Sequence, residues 1–268
     1  MGRVVVVGLV RRVIVTDVDR LPGPGDVVEG QATHHGISGS GVEQALAVRR
    51  AGGRVVLVGA VGRDDAGRAC GEALGVLGVP ARLQRGSRHP TSMEITARDP
   101  EGGTMTVVGP GARLRTVDGP VLHDVGTEDV VLVPQGLPGA VLRWLASLAQ
   151  RRGARFVVNA SPYAELPSEV LSAADPFVVG ERDAALLADV GLIPGSLCVT
   201  FGRAGAVWDG LRVDSDDLGA PAMAPGGTEA FCAGLAAALA AGADLASALR
   251  AAVTAAGEPP ASGAQRGR

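Results

Sequence analysis

Residues 38–67 read SGSGVEQALAVRRAGGRVVLVGAVGRDDAG, and this stretch decides the fold. Residues 41–51 carry apolar positions at helical spacing and end at the Gly52–Gly53 pair. An unbroken apolar run at 54–58 then reads as a strand buried on both faces, and 66–77 returns to the helical period. The same alternation extends in both directions. Strands are predicted at 3–8, 129–133, 155–158, 177–179 and 196–200, and helices at 139–152, 182–190, 228–241 and 245–256. This is the pattern of an α/β fold: three αβα layers around a mostly parallel sheet, in one domain spanning 1–268. Such sheets take ligands at the carboxyl ends of their strands, where strand order reverses. Two stretches depart from the pattern. Residues 13–33 and 91–108 hold β-type segments and turns (PGPG at 22–25, PEGG at 100–103) with no helix between them, and are expected to pair into a small separate sheet. Residues 258–268, rich in Pro, Gly and Ser, read as a loose tail.

The 268 residues, 46% hydrophobic and 20% charged, suffice for a sizeable core. A net charge of −3 gives no reason to expect a nucleic-acid or anionic-membrane partner. All 25 basic residues are arginine, which excludes Schiff-base chemistry and a P-loop lysine. Cys70, Cys198 and Cys232 are odd in number and far apart, so neither a disulfide framework nor a zinc site is expected, and a reducing compartment fits them. His34, His35, His89 and His123 lack metal-ligand spacing. The opening MGRVVVVGLVRR reads as a first buried strand rather than a signal peptide. The longest apolar run, 230–243, is too short to span a bilayer. A cytoplasmic protein is the expectation.

Eight segments, in order, resemble the ribokinase-like (PfkB) carbohydrate kinase family. They are VVVVG at 4–8, DRLPGPGDVVEG at 19–30, SGSGVEQALAVRRAGG at 38–53 and VGAVGRDDAG at 58–67, then PTSMEITARDPEGGTMTVVGPGARL at 90–114, NASPYAELPSEVLSAADPFVVGERDAALL at 159–187, VTFGRAGAVW at 199–208 and APGGTEAFCAGLAAALAAG at 224–242. The resemblance implies a lid, built from about 13–33 and 91–108, over a sugar or nucleoside site. It implies ATP near Thr200, Gly202 and Gly205, magnesium with the phosphates, and a homodimer formed through the lid.

Read onto this sequence, the family's Gly-Ala-Gly-Asp becomes Gly226, Gly227, Thr228 and Glu229, so an anion cradle at a helix N-terminus would have Glu229 in the place of the base. Thr228 as an N-cap and Glu229 as a first-turn acid are an equally complete reading. The family's sugar-gripping Asn-x-Asp falls on Arg11 and Val13, and a valine accepts no hydroxyl hydrogen bond. Arg11 offers an anion contact instead. Ser38, Gly39 and Ser40 form the glycine-rich loop, and Glu43 stands where an asparagine contacts sugar. Ser40 and Glu43 also have the S-x-x-E spacing of a capping box. Arg113 replaces a lid asparagine, Gln135 remains in a strand-end loop, and Asp183 is the residue left to hold magnesium indirectly. Scaffold residues are thus kept while polar ones change. Two functions follow from that pattern. One is a kinase that transfers the ATP γ-phosphoryl group to a sugar hydroxyl, using ATP and Mg²⁺. The other is a catalytically inactive pseudokinase that binds a small molecule, its cofactor unknown.

Overall fold

The computed structural model describes all residues except 1, 87, 116–119, 220–226, 258–262 and 265–268. In chain order the elements are β1 (Val4–Val7), β2 (Arg11–Val18), β3 (Gly30–Ser38), α1 (Ser40–Arg50), β4 (Val55–Gly62), α2 (Asp65–Val76), β5 (Ala81–Gly86), β6 (Met93–Arg98), β7 (Thr104–Val108), α3 (Pro120–His123), β8 (Val130–Pro134), α4 (Gly139–Arg152), β9 (Arg155–Asn159), α5 (Ser168–Ala173), β10 (Phe177–Gly180), α6 (Glu181–Asp189), β11 (Leu197–Thr200), β12 (Ala206–Trp208), β13 (Leu211–Val213), α7 (Gly227–Ala240), α8 (Leu245–Ala256) and β14 (Gly263–Ala264).

The large sheet has the order β13-β12-β11-β10-β9-β8-β1-β4-β5. It is parallel from β5 to β11, and the β12–β13 hairpin closes one edge antiparallel. The all-valine strand β1 is buried on both faces: Val4 and Val6 join a core that includes residues of α1, α7 and α8, and Val5 and Val7 join one that includes residues of α4 and α5. Alternate side chains thus seal both helical layers, as the expected three-layer arrangement requires. From β1 the chain winds outward through β4 and β5 on one side and through β8 to β11 on the other. The strand order therefore reverses beside β1, which is where a cleft is expected.

The two departing stretches form the expected second sheet, ordered β14-β3-β2-β6-β7. Its pairs are antiparallel except β2–β6, which is parallel. The strands are longer than the sequence suggested, since β2 starts at Arg11 and β3 runs to Ser38. The tail expected over 258–268 lies outside the described residues apart from β14, whose Gly263 and Ala264 pair with Ile37 and Gly36.

Two local expectations are corrected. The glycine-rich stretch 38–41 is not a loop: Ser38 ends β3, Ser40 opens α1, and Gly39 alone makes the turn. Gly39 has φ +108°, and a Cβ there would lie 2.6 Å from the Leu9 carbonyl oxygen, so glycine serves both the turn and the close approach. The N-cap is therefore Gly39, with no side-chain cap bond, and the Ser40–Glu43 capping box does not form. Thr228 likewise lies inside α7 rather than at its cap.

Candidate active site

The ends of β1 and β8 and the small sheet build one cleft. After β1, the segment Leu9–Val10–Arg11 crosses into the small sheet. There, with Ser92, Val108 to Arg113, and Gly136 from the loop after β8, it lines a cavity of about 300 Å³. The N-terminus of α1 meets the same corner: a Cβ on Gly8 would stand 2.6 Å from Gly41 Cα and 3.2 Å from the Pro134 ring. That contact brings Ser40, Gln135 and the β1 end together. Ser40 Oγ and Gln135 Oε1 are both shielded from solvent and have no hydrogen-bond partner among the described residues; the same is true of both polar atoms of the fully buried Gln44. Buried polar groups are normally paired, and an orphaned cluster beside a cavity marks a place where a ligand or water completes it.

The charged groups here form a chain. Arg11 Nη1 lies 3.6 Å from Glu94 Oε2 on β6, and Ser38 Oγ donates to that same oxygen at 2.9 Å. Glu94 was not apparent from the sequence, where it reads as one polar residue in a β run. Burial pushes the Glu43 carboxyl above its ordinary range; neighbouring Glu94 adds to the effect, while a hydrogen bond from the Gly39 backbone and the charge of Arg11 oppose it. Glu229, in the first turn of α7, is half-buried. Burial raises its proton affinity; a hydrogen bond within its own backbone opposes this, and the Glu43 charge raises it further. The helices that carry these two residues, α1 and α7, pack against each other.

Of the residues singled out in the sequence, Arg11, Ser38, Gly39, Ser40, Glu43, Arg113 and Gln135 thus gather at one corner, and Glu229 stands on α7, the helix packed against α1. Gly227 is the first residue of α7 and is buried. Gly226 lies outside the described residues. Val13 is 4% exposed and in register with Glu94, so it contributes packing only.

Thr200, Gly202, Gly205 and Asp183 sit elsewhere, at the ends of β10 and β11. Thr200 Oγ1 donates to the Val179 carbonyl at 3.3 Å, and residues 202–204 form a 3₁₀ turn. Asp183 Oδ2 accepts from Ser161 Oγ at 2.9 Å. Four strand spacings separate β1 from β11, about 19 Å at the usual inter-strand distance, and α7 packs against β1, β8 and β9 in between. Among the described residues no group of three or more His, Cys, Asp or Glu could hold a metal ion. Among the described residues no helix is long and apolar enough to cross a membrane.

A wound parallel sheet, a small second sheet and a cleft at the strand-order switch define the class as doubly wound α/β. The comparisons make the class specific. Residues 1–192 match the family described as pfkB family carbohydrate kinase, and the chain belongs to that family. It is 27% identical over 264 residues to a ribokinase of Bacillus subtilis, spanning 93% of this chain and 90% of that protein. In fold it is similar to Arabidopsis thaliana ribokinase complexed with ribose and ATP, with TM-score 0.75, 20% identity, and coverage of 96% of this chain and 92% of that one. It is also similar in fold to Escherichia coli phosphofructokinase-2 in complex with fructose-6-phosphate, with TM-score 0.73, 18% identity, and coverage of 94% and 92%.

Proposed function

We propose that this chain is a working sugar or nucleoside kinase in which Glu229 takes the proton of the acceptor hydroxyl. The observation that carries this reading is the position of Glu229: first turn of α7, half-buried, its proton affinity raised by burial. A base works best with a pKa drawn toward the operating pH, and Glu229 is shifted in that direction. The amides at the α7 N-terminus face the developing negative charge of the transferring group, and ordered donors of this kind are the main source of stabilisation in phosphoryl transfer. ATP would rest on the turn at Thr200, Gly202 and Gly205, and magnesium, when bound with it, supplies charge neutralisation on the phosphates. The test is ADP release with a panel of sugars and nucleosides: the reading expects turnover that Glu229→Gln abolishes while the melting temperature holds.

A second reading, a ligand-binding protein without turnover, draws support from Val13, which offers no polar contact, and from Arg11, which is engaged by Glu94. It expects stabilisation by ATP or sugar with no ADP formed. In either case a second copy is the proposed partner. Ile95, Met105 and Val107 lie on the outer face of the small sheet, at 53%, 45% and 64% exposure, and β7 is its edge strand. The cytoplasm is the proposed location, since all three cysteines are free and buried.

A further inference from the structure

We propose that Arg11 and Arg113 clamp an anion: the ligand of this cleft is a small polyhydroxy compound that carries one oxyanion, a carboxylate or a phosphate. The inference rests on the reading of the cleft as an acceptor site and names the charge of what it accepts.

The lining of the cavity carries the argument. Its charged members among the described residues are Arg11 and Arg113, and no carboxylate lines it. The chain as a whole has a net charge of −3, so this positive lining is local rather than part of a generally basic surface. Both arginines stand on pinned backbone. Arg11 opens β2 in register with Ser38, and the next amide, that of Arg12, donates to the Ser92 carbonyl at 2.9 Å. Arg113 follows a loop whose Gly109 and Ala112 amides donate to the Met93 and Pro90 carbonyls, each at 2.8 Å. A Cβ on Gly111 would fall 2.3 Å from Ser92 N, so this loop lies directly on the segment leading into β6. Leu114, 4% exposed, anchors it on the other side of Arg113.

Donor capacity is left over at both residues. A guanidinium holds five N–H donors in a planar fork that matches two oxygens of one anion. The Arg11–Glu94 ion pair, at 3.6 Å, is longer than a hydrogen bond, and the Glu94 oxygen in it already accepts from Ser38 Oγ at 2.9 Å. That pair orients Arg11 without consuming its donors. Arg113 has no hydrogen-bond or ion-pair partner among the described residues. It is exposed, so water screens it in the open cleft, and a ligand that displaces the water strengthens its pull. The rest of the ligand is polar too. Ser40 Oγ and Gln135 Oε1, shielded and unpaired, stand at the same corner, and hydroxyl groups supply what they lack. A cavity of about 300 Å³ sits at the small end of the usual range for ligand sites, about 300–1,000 Å³, which limits the compound to roughly the size of a monosaccharide.

Calorimetric titration without nucleotide compares two matched pairs on the full chain: D-glucitol with D-gluconate, and D-ribose with D-ribose 5-phosphate. In at least one pair the anion is expected to bind about 10- to 100-fold more tightly than its neutral partner, the usual effect of a hydrogen bond to a charged group. Preference in the first pair assigns a carboxylate, and in the second a phosphate. Arg11→Gln and Arg113→Gln should each remove most of that preference. Arg113 is exposed, so its variant should keep the parent melting temperature. Arg115→Gln, which takes the same charge from an exposed residue two positions on, should leave the preference intact. Binding of none of the probes, equal or weaker binding of both anions, or an equal loss in Arg115→Gln and Arg113→Gln each overturns the proposal. ADP release is measured separately. An anion preference that Arg113→Gln removes, with no ADP ever formed, sinks the kinase reading and leaves the clamp; ADP formed with neutral sugars, with no anion preference, sinks the clamp and leaves the kinase.

Discussion

Replacing Asp64 with alanine should destabilise the protein more than any ordinary surface change, because one carboxylate holds the small sheet to the large one. Asp64 follows β4 and caps α2: its Oδ1 accepts from Gly67 N at 2.8 Å and from Thr91 Oγ1 at 2.6 Å, and its Oδ2 accepts from Thr91 N at 2.7 Å. Thr91 Oγ1 in turn accepts from Gly62 N at 2.9 Å, which ties the segment leading into β6 to the end of β4. Loss of the cap alone costs about 1 kcal/mol. The Thr91 N–H, in a residue 2% exposed, is then left without an acceptor, which adds about 1–3 kcal/mol. The expected total is about 2–4 kcal/mol, or a fall in melting temperature of about 5–15 °C at the usual conversion for a chain of this size. Urea denaturation measures the stability directly. A cycle with Thr91→Val tests the coupling, expected at about 1–2 kcal/mol for residues in one network. Asp64→Ala within about 0.5 kcal/mol of the parent, the scatter of neutral surface changes, or strict additivity with Thr91→Val, would refute the reasoning. Acid gives an independent check. Burial pushes the Asp64 carboxyl up, but the hydrogen bonds from Thr91 and Gly67 outweigh it and the group ionises below its usual 3.8. Its contribution is therefore complete above 3.8 and disappears as pH falls through the lower folded value.

Three other outcomes are expected. Gly39→Ala forces a side chain into φ +108° and against the Leu9 carbonyl, and should cost about 2–4 kcal/mol in urea denaturation, the strain and the overpacking together. Glu43 behaves oppositely to Asp64: its folded pKa is raised, so the fold is favoured below 4.5 and loses that advantage as pH climbs through the folded value. Glu43→Gln should therefore raise the melting temperature at pH 7, with the gain vanishing toward pH 4. Val107→Arg on the outer face of the small sheet should convert a dimer to a monomer in light scattering, with the melting temperature of the monomer little changed.

The large sheet was legible because parallel strands buried on both faces leave unbroken apolar runs: VVVV of β1 and VVLVP of β8 could be read directly. β5 escaped because its ARLQRG alternates in exposure and lacks such a run. The β12–β13 hairpin did carry a signal that went unused. Asp209–Gly210 is a two-residue turn pair, with φ +46° and +86°, of the kind that joins twisted strands. The site was half legible. Residues on motif positions such as Arg11 and Glu43 could be named from the sequence, and they do converge on one corner. Glu94 could not, since its importance comes from cross-strand register and from partners 56 and 83 positions away, Ser38 and Arg11. The misplaced cap at Ser40 has a local cause: the sequence shows that a glycine is present but not that its dihedral completes the turn by itself.

The helix that carries Glu229 is clasped on nearly every side. From Ala230 to Ala237 every residue is buried, and at Gly234 a single added carbon would come within 2.7 Å of Ala255 and 3.1 Å of the Ala251 carbonyl oxygen. A rod wedged that tightly cannot slide or roll to meet a reactant. The Glu229 carboxylate is thus mounted on a support that leaves its backbone no room to shift.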